Sequence, residues 1–207
     1  MRHADWYFDF ISPYAYFALL RLDELPGDVD IRLKPLLFAG LLNHWGQKGP
    51  AEIPAKRLWT YRSCAWTAKT LGIPFRAPAA HPFNPLPYLR LAIAAGSTRA
   101  AVHTIFEALW TTGADPSDPA MVAALAARLS VPIAALTTAD TKQILRTNTE
   151  SAAAAGVFGV PTLLINGELF WGVDGLDFAK AYLADPSILA SEEMQRISTL
   201  PIAASRI

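Results

Sequence analysis

The sequence predicts an α/β fold in which one mixed domain is interrupted by a long helical segment. Residues 5–35 show a strand–helix–strand pattern, and residues 162–184 show a hairpin followed by a helix. The region between them is rich in Ala, Leu and Arg at helical spacing. A chain of 207 residues, 52% hydrophobic and 17% charged, can bury one core together with a helical subdomain. We expect residues 1–36 and 155–207 to form the discontinuous mixed domain and residues 37–154 the helical insertion.

The first part of the mixed domain begins with an aromatic-rich stretch at residues 5–10. This stretch predicts a strand, because aromatic side chains favour a pleated surface. A helix is predicted over 13–25, since Ser12 is a suitable N-cap and Pro13 suits the first helical position. A Pro-Gly pair ends that helix, and a second strand is predicted over 29–35.

The inserted segment is predicted to be all-helical. Asp118 followed by Pro119 marks one helix start, and Thr138 or Asp140 marks the last one. Five prolines in 74–87 predict an irregular connector. The predicted helices lie near 55–71, 85–95, 98–112, 117–128, 131–137 and 140–154.

The second part of the mixed domain is a hairpin and a helix. Strands are predicted over 162–165 and 168–171, because Asn166-Gly167 between them is a strong two-residue hairpin signal. Pro161 cannot donate a ladder hydrogen bond and therefore marks the strand start. The helix is predicted over 175–184. Beyond it, residues 188–207 are expected to pack as an extension or to fray.

Charge and cysteine content exclude several classes of protein. Eighteen basic residues balance eighteen acidic ones, so we expect neither a nucleic-acid partner nor an anionic membrane partner. The single cysteine, Cys64, excludes an internal disulfide and a Cys-x-x-Cys motif, and we expect it to be a small buried hydrophobe. The four histidines have no metal-ligand spacing, so no metal site is expected. This cysteine usage fits a reducing compartment, and we predict a cytoplasmic location.

The helix start at Ser12 is the first candidate functional site. A hydroxyl at a helix N-terminus lies beside unpaired amides that stabilise an anion. A disulfide exchanger needs two cysteines at such a site, whereas this chain has Ser12-Pro13-Tyr14. Any thiolate must therefore arrive on a ligand. The alternative is that Ser12 is only a helix cap and Pro161 only a strand boundary.

Three stretches, 9–14, 156–162 and 170–174, together resemble the 2-hydroxychromene-2-carboxylate isomerase family. That family is grouped with the kappa-class glutathione transferases and the DsbA-like branch of the thioredoxin superfamily. The resemblance extends from about residue 6 to about residue 182, with the motifs in the expected order. It implies a thioredoxin-like domain with an inserted all-helical domain, glutathione as cofactor, a small aromatic substrate and a homodimer.

The resemblance also implies roles for individual residues. Ser12 would donate a hydrogen bond to the glutathione sulfur, Val160 would bind the ligand through its main chain, and Asp174 would bind the γ-glutamyl amino group. Pro161 would be cis and face the helix start. Where the family usually has an arginine after the aspartate, this chain has Gly175, which removes a charge. The residues predicted to bind glutathione are Ser12, Pro13, Tyr14, Gln47, Val160, Pro161 and Asp174.

The segment 40–62 is expected to form the rim of the site. Gln47 stands where similar proteins have an asparagine, and Lys56 matches a basic position that would hold a substrate carboxylate. Asn84 matches an asparagine near the substrate. Lys56 is equally consistent with a solvated helix start, and Asn84 with a turn. One or two aromatic side chains are expected to line a pocket, from the candidates Trp45, Trp59, Trp66, Phe38 and Phe83.

The resemblance implies a glutathione-dependent isomerase that interconverts 2-hydroxychromene-2-carboxylate and trans-o-hydroxybenzylidenepyruvate by reversible thiolate addition. Two alternatives stay open. One is a kappa-like glutathione transferase or peroxidase, which would use the same thiolate on an electrophile. The other is a non-catalytic protein that binds extended peptides at the cis-proline edge of a thioredoxin scaffold.

Overall fold

The computed structural model describes residues 2–204 and contains a four-stranded mixed sheet with the order β2-β1-β3-β4. Strand β1 pairs with β2 in parallel and with β3 antiparallel, and β3 and β4 form the antiparallel hairpin. Residue 1 lies outside the described residues. Residues 205–207, the last part of the predicted C-terminal extension, also lie outside them. The strands are β1 (Arg2–Phe8), β2 (Val29–Pro35), β3 (Thr162–Ile165) and β4 (Glu168–Trp171).

Six α-helices lie between β2 and β3, and five of them, α3 to α7, correspond to predicted helices. No helix within residues 2–204 has the length and apolar character needed to span a membrane. The helices are α1 (Pro13–Arg21), α2 (Phe38–Trp45), α3 (Pro54–Leu71), α4 (Leu86–Ala94), α5 (Arg99–Thr111), α6 (Pro119–Arg128), α7 (Ala139–Ala154), α8 (Gly175–Ala184) and α9 (Glu192–Ser198).

The second part of the mixed domain has the predicted bounds. Strands β3 and β4 and helix α8 begin and end at the predicted residues. Asn166 and Gly167 have φ values of 53° and 89°, which is the left-handed conformation that a tight two-residue hairpin requires. Asp118 caps α6, as predicted, and Thr138, one of the two predicted starts, caps α7.

Three predicted bounds are wrong. Strand β1 covers 2–8 instead of 5–10, because the buried Asp9 starts a turn. Helix α1 ends at Arg21, and a 3₁₀ turn over Leu22–Glu24 replaces its predicted last turn. Residues Ile133–Thr137 form a 3₁₀ turn after Pro132 instead of the predicted α-helix over 131–137.

Helix α2 is absent from the sequence prediction because distant residues supply its cap. The N–H of Leu37 donates to Oγ1 of Thr149 at 3.0 Å, and the N–H of Phe38 donates to Oδ2 of Asp9 at 2.9 Å. Gly46, with φ 61°, ends the helix in the left-handed conformation. The start of the helix therefore depends on tertiary contacts, which cannot be predicted from the residues of the helix itself.

The alternation of β1 side chains builds a core on each face of the sheet. On one face, Trp6 and Phe8 stack at 4.6 Å and belong to the main core, which extends into α5 through Phe106. On the other face, Tyr7 packs in a smaller cluster with Val160. The main core thus contains residues from both predicted domains, and the domain boundaries stay a prediction.

Candidate active site

Ser12 lies at the N-terminus of α1, where the chain leaves a tight turn. The N–H of Ser12 donates to the carbonyl of Asp9 at 3.1 Å, and the Ser12 Oγ accepts from the N–H of Ala15 at 3.2 Å. Ser12 is therefore the predicted N-cap, with Pro13 buried at the first helical position. Its hydroxyl hydrogen has no acceptor within residues 2–204, so this hydrogen is available to a ligand.

Three side chains hold the backbone of the turn Asp9–Ser12. Nε1 of Trp110 donates to the carbonyl of Phe10 at 2.9 Å, and Nε2 of His81 bonds the carbonyl of Ile11 at 2.8 Å. The N–H of Ile11 donates to Oδ1 of Asp9 at 3.1 Å. Because these groups come from the helical segment and from the turn itself, the position of Ser12 is well determined before any ligand binds.

Asp9 is a functional residue that sequence reasoning missed. Its carboxyl is buried and accepts from the N–H of Phe38 and of Ile11, so it joins the turn to the start of α2. Burial raises the pKa of Asp9 to about 7, although the backbone N–H donors act against this shift. The signal in the sequence is an acidic residue between two phenylalanines, three positions before Ser12.

His81 is the second residue that was missed, and it connects the turn to α3. Because its Nε2 must donate to the Ile11 carbonyl, its Nδ1 accepts from the Tyr61 hydroxyl at 2.8 Å. Burial lowers the pKa of His81, which favours this neutral form. A single histidine in an irregular, proline-rich connector has no spacing pattern that would reveal it.

Tyr14 and Cys64 pack together between α1 and α3. The side chain of Tyr14 faces Thr60, Ser63 and Cys64, and burial raises its pKa. Cys64 is free and buried, and burial raises the pKa of its thiol to about 12. A thiol with that pKa is protonated and unreactive at neutral pH, which confirms the prediction of a small buried hydrophobe.

The Val160–Pro161 peptide bond is cis, as predicted. Thr162 pairs with Tyr7 of β1, so Pro161 lies at the end of the sheet where β1 runs into the turn Asp9–Ser12. The carbonyl of Pro161 accepts from Gly172, but neither the N–H nor the C=O of Val160 has a partner in the described part of the chain. An extended ligand can therefore pair with the Val160 main chain.

An exposed aromatic pair lies beside this cis-proline segment. The rings of Phe158 and Trp171 are 5.2 Å apart and tilted. A Cβ at Gly159 would lie 2.5 Å from Nε1 of Trp171, so only glycine permits the indole to approach this closely. By contrast, Trp59 and Trp66, two of the candidates for a pocket wall, are about 70% exposed on α3. The aromatic surface next to the site thus comes from β4 and from the segment that precedes β3.

Asp174 occupies the N-cap position of α8 without capping it. Its side chain is exposed and makes no hydrogen bond or ion pair within residues 2–204. Gly175 is tightly placed, because a Cβ there would lie 3.0 Å from the carbonyl carbon of Phe170. The arginine that the resemblance leads one to expect after Asp174 would therefore press against β4.

Gln47, Lys56 and Asn84 are exposed, and none of their side chains hydrogen-bonds to Ser12. Gln47 follows the left-handed Gly46 at the end of α2, and Lys56 lies in the first turn of α3. Oδ1 of Asn84 accepts from the N–H of Leu86 at 3.1 Å, which is the turn-forming role, and its amide nitrogen stays available. Their roles in ligand binding stay predictions.

The arrangement defines a class of protein. Residues 4–184 match the family model described as the DSBA-like thioredoxin domain, so the chain belongs to this family. Its relatives include the 2-hydroxychromene-2-carboxylate isomerase of Sphingobium xenophagum, 28% identical over 192 residues, which span 87% of this chain and 97% of the relative. The glutathione S-transferase kappa 2 of Caenorhabditis elegans is 27% identical over 205 residues, spanning 87% and 91%.

A solved structure shows the same relationship. The structure of a 2-hydroxychromene-2-carboxylate isomerase superposes with a TM-score of 0.74 at 25% identity, covering 92% of this chain and 100% of that chain. The predicted thioredoxin-like α/β fold and the family resemblance are therefore confirmed.

Proposed function

We propose that this protein is a glutathione-dependent isomerase that interconverts 2-hydroxychromene-2-carboxylate and trans-o-hydroxybenzylidenepyruvate. The observation that carries the proposal is the Ser12 hydroxyl, which lies at the N-terminus of α1 and has no acceptor in the described residues. The similarity to named isomerases over most of both chains supports the choice of reaction.

The residues near Ser12 fit a tripeptide thiol. The free N–H and C=O of Val160 would pair with the cysteinyl residue of glutathione, as backbone groups pair with an added strand. The exposed carboxylate of Asp174 would bind the amino group at the γ-glutamyl end. Gln47 would add an amide contact, and Tyr14 would contribute its backbone N–H in the first turn of α1.

Ser12 would act on sulfur as a hydrogen-bond donor. When bound, glutathione supplies a thiolate whose reversible addition to a conjugated double bond permits rotation about that bond. The Ser12 hydroxyl and the positive end of α1 both favour the thiolate over the thiol. Ser12 is not a nucleophile, because the nearby His81 uses its ring nitrogens on Ile11 and Tyr61.

Other residues would act on the substrate. Lys56 would bind the substrate carboxylate, and the amide nitrogen of Asn84 would donate to an oxygen on which negative charge develops. The exposed rings of Phe158 and Trp171 would offer an apolar face beside the cis-proline segment.

The test is the number of product molecules formed per glutathione. An isomerase regenerates its thiol, so a trace of glutathione with excess chromene acid should give many turnovers. Ser12→Ala should turn over more slowly under the same conditions. One product per glutathione, or a stable conjugate in the mass spectrum, would contradict the isomerase.

A kappa-like transferase or peroxidase is the second candidate function, because three relatives are named glutathione S-transferase kappa. It would use the same groups around Ser12 and consume glutathione stoichiometrically. Disulfide exchange between two thiols of this chain is excluded, since the sequence has one cysteine.

A further inference from the structure

A cleft lies between α2, α4 and α7, and the residues of the site at Ser12 are not part of it. Its volume is about 650 Å³, within the usual range for small-molecule sites. None of the residues proposed to bind glutathione or its substrate lines this cleft. A ligand of this cleft would therefore bind apart from glutathione and its substrate.

The walls of the cleft are positively charged. Arg90 comes from α4, and Lys142 and Arg146 come from α7. Within residues 2–204, none of these three has a carboxylate oxygen within 4.0 Å. Glu150 lines the same cleft but does not pair with Arg146, one helical turn before it. The three cations thus outnumber the single carboxylate.

Arg90 is the strongest indication that the missing negative charge belongs to a ligand. Its Nε is fully buried and has no hydrogen-bond partner in the described chain, and the residue as a whole is half-buried. A guanidinium that is partly removed from water without a counter-charge costs free energy. Lys142 and Arg146 add repulsion, because like charges four residues apart on a helix are destabilising.

The cleft also has an apolar part beside the polar residues His44 and Thr149. Leu37, Leu145 and Ala153 contribute to its lining, and Gly40 of α2 keeps the helices close. A bare inorganic ion would leave this surface uncovered. We propose that the cleft binds a small organic anion with at least two negative groups, carboxylate or phosphate, on an apolar body.

Calorimetry at low salt, about 50 mM, tests the proposal, because weak screening favours charge pairing. The probes are benzene-1,3,5-tricarboxylate and hydroquinone bisphosphate, which carry carboxylates and phosphates respectively on an aromatic ring, and each is titrated into the wild-type protein. Binding of the first indicates a carboxylate ligand and binding of the second a phosphate ligand. Lys142→Gln and Arg146→Gln should each weaken binding about tenfold, since a charged hydrogen bond is lost. Both side chains are exposed, so both variants should fold.

The matched control is Lys69→Gln on α3, an exposed cation outside the cleft. It should bind both probes like the wild type, and all three variants should keep the wild-type affinity for glutathione. The proposal is overturned if neither probe binds at about 10 mM. It is also overturned if Lys69→Gln weakens binding as much as Arg146→Gln. Each result is independent of whether the isomerase reaction occurs.

Discussion

The turn Asp9–Ser12 and the segment 40–62, the predicted rim of the site, differ in how firmly their polar groups are held. In the turn, backbone groups bond to Asp9, His81 and Trp110, and nearly everything is buried. In the rim, Gln47 and Lys56 are exposed, and their side chains make no hydrogen bond within residues 2–204. The turn fixes one hydroxyl in space, whereas the rim presents long polar side chains that are free to adapt.

This difference corresponds to two functions, stabilisation of a thiolate and recognition of a substrate carboxylate. A hydrogen bond to a thiolate needs a donor at a fixed position, and a fixed position requires a second layer of bonds around the donor. Recognition of a substrate carboxylate tolerates a flexible cation. We therefore expect changes in the turn to affect stability and turnover together, and changes in the rim to affect the binding of substrate or glutathione with little effect on stability.

Asp9→Ala should have the largest effect. It leaves the N–H groups of Ile11 and Phe38 buried without an acceptor, so the free energy of unfolding should fall by about 4 kcal/mol. Urea unfolding measures this loss, and turnover should fall with it. Glu192→Ala, an exposed acidic residue of α9, is the control. A loss as small as that of the control would mean that Asp9 does not hold the turn.

The next largest expected effect is a change in the free energy of unfolding with pH. The pKa of Asp9 is raised from 3.8 to about 7 by burial, so the folded state holds a proton that the unfolded state has already lost. Stability should therefore fall as pH rises from about 4 to about 7 and level off above that. Between pH 5 and 7 the loss should be about 2 kcal/mol. Asp9→Asn should remove this slope, and an unchanged slope in that variant would assign it elsewhere.

His81→Phe should have a moderate effect, because it removes one donor to the Ile11 carbonyl and one acceptor for Tyr61. We expect a loss of about 1 kcal/mol in the free energy of unfolding, together with slower turnover. His44→Phe, an exposed histidine of α2, should change neither. Full turnover in His81→Phe would show that the turn keeps its geometry without this contact.

Lys56→Ala should have the smallest effect on stability, within about 0.5 kcal/mol, because its side chain is exposed. KM for the carboxylate substrate should rise about tenfold, with the affinity for glutathione unchanged. Lys69→Ala on the same helix should leave KM unchanged. An unchanged KM in both variants would reduce Lys56 to a solvated helix start.

Local signals predicted the parts of the fold that local chemistry determines. The hairpin turn at Asn166-Gly167 and the cap at Thr138 depend on adjacent residues, and both appear where predicted. Helix α2 could not be predicted, since Asp9 and Thr149 bond the N–H groups at its start. The end of β1 was misplaced for the same reason, because the aromatic pattern continues to Phe10 while the buried Asp9 turns the chain.

The candidate site also contains residues that the sequence could predict and residues that it could not. Ser12 and Pro161 could be identified as site candidates from the residues next to them in the sequence. The structure places both at one end of the sheet, with Pro161 in the cis form. Asp9 and His81 act through backbone groups that are only nearby in the folded chain, so no spacing reveals them. The roles of Gln47, Lys56, Asn84 and Asp174, the homodimer and the cytoplasmic location stay predictions.

The central claim is that the Ser12 hydroxyl stabilises a ligand thiolate, and the pKa of bound glutathione tests it most directly. Ultraviolet absorbance of the thiolate, titrated with pH, gives this pKa for the wild type and for Ser12→Ala. A free thiol has a pKa of about 8.5, and we expect about 7 or lower on the wild-type protein. In Ser12→Ala the value should return towards that of the free thiol, while glutathione still binds through Val160. The same pKa in both proteins would contradict the account and leave Ser12 as a helix cap alone.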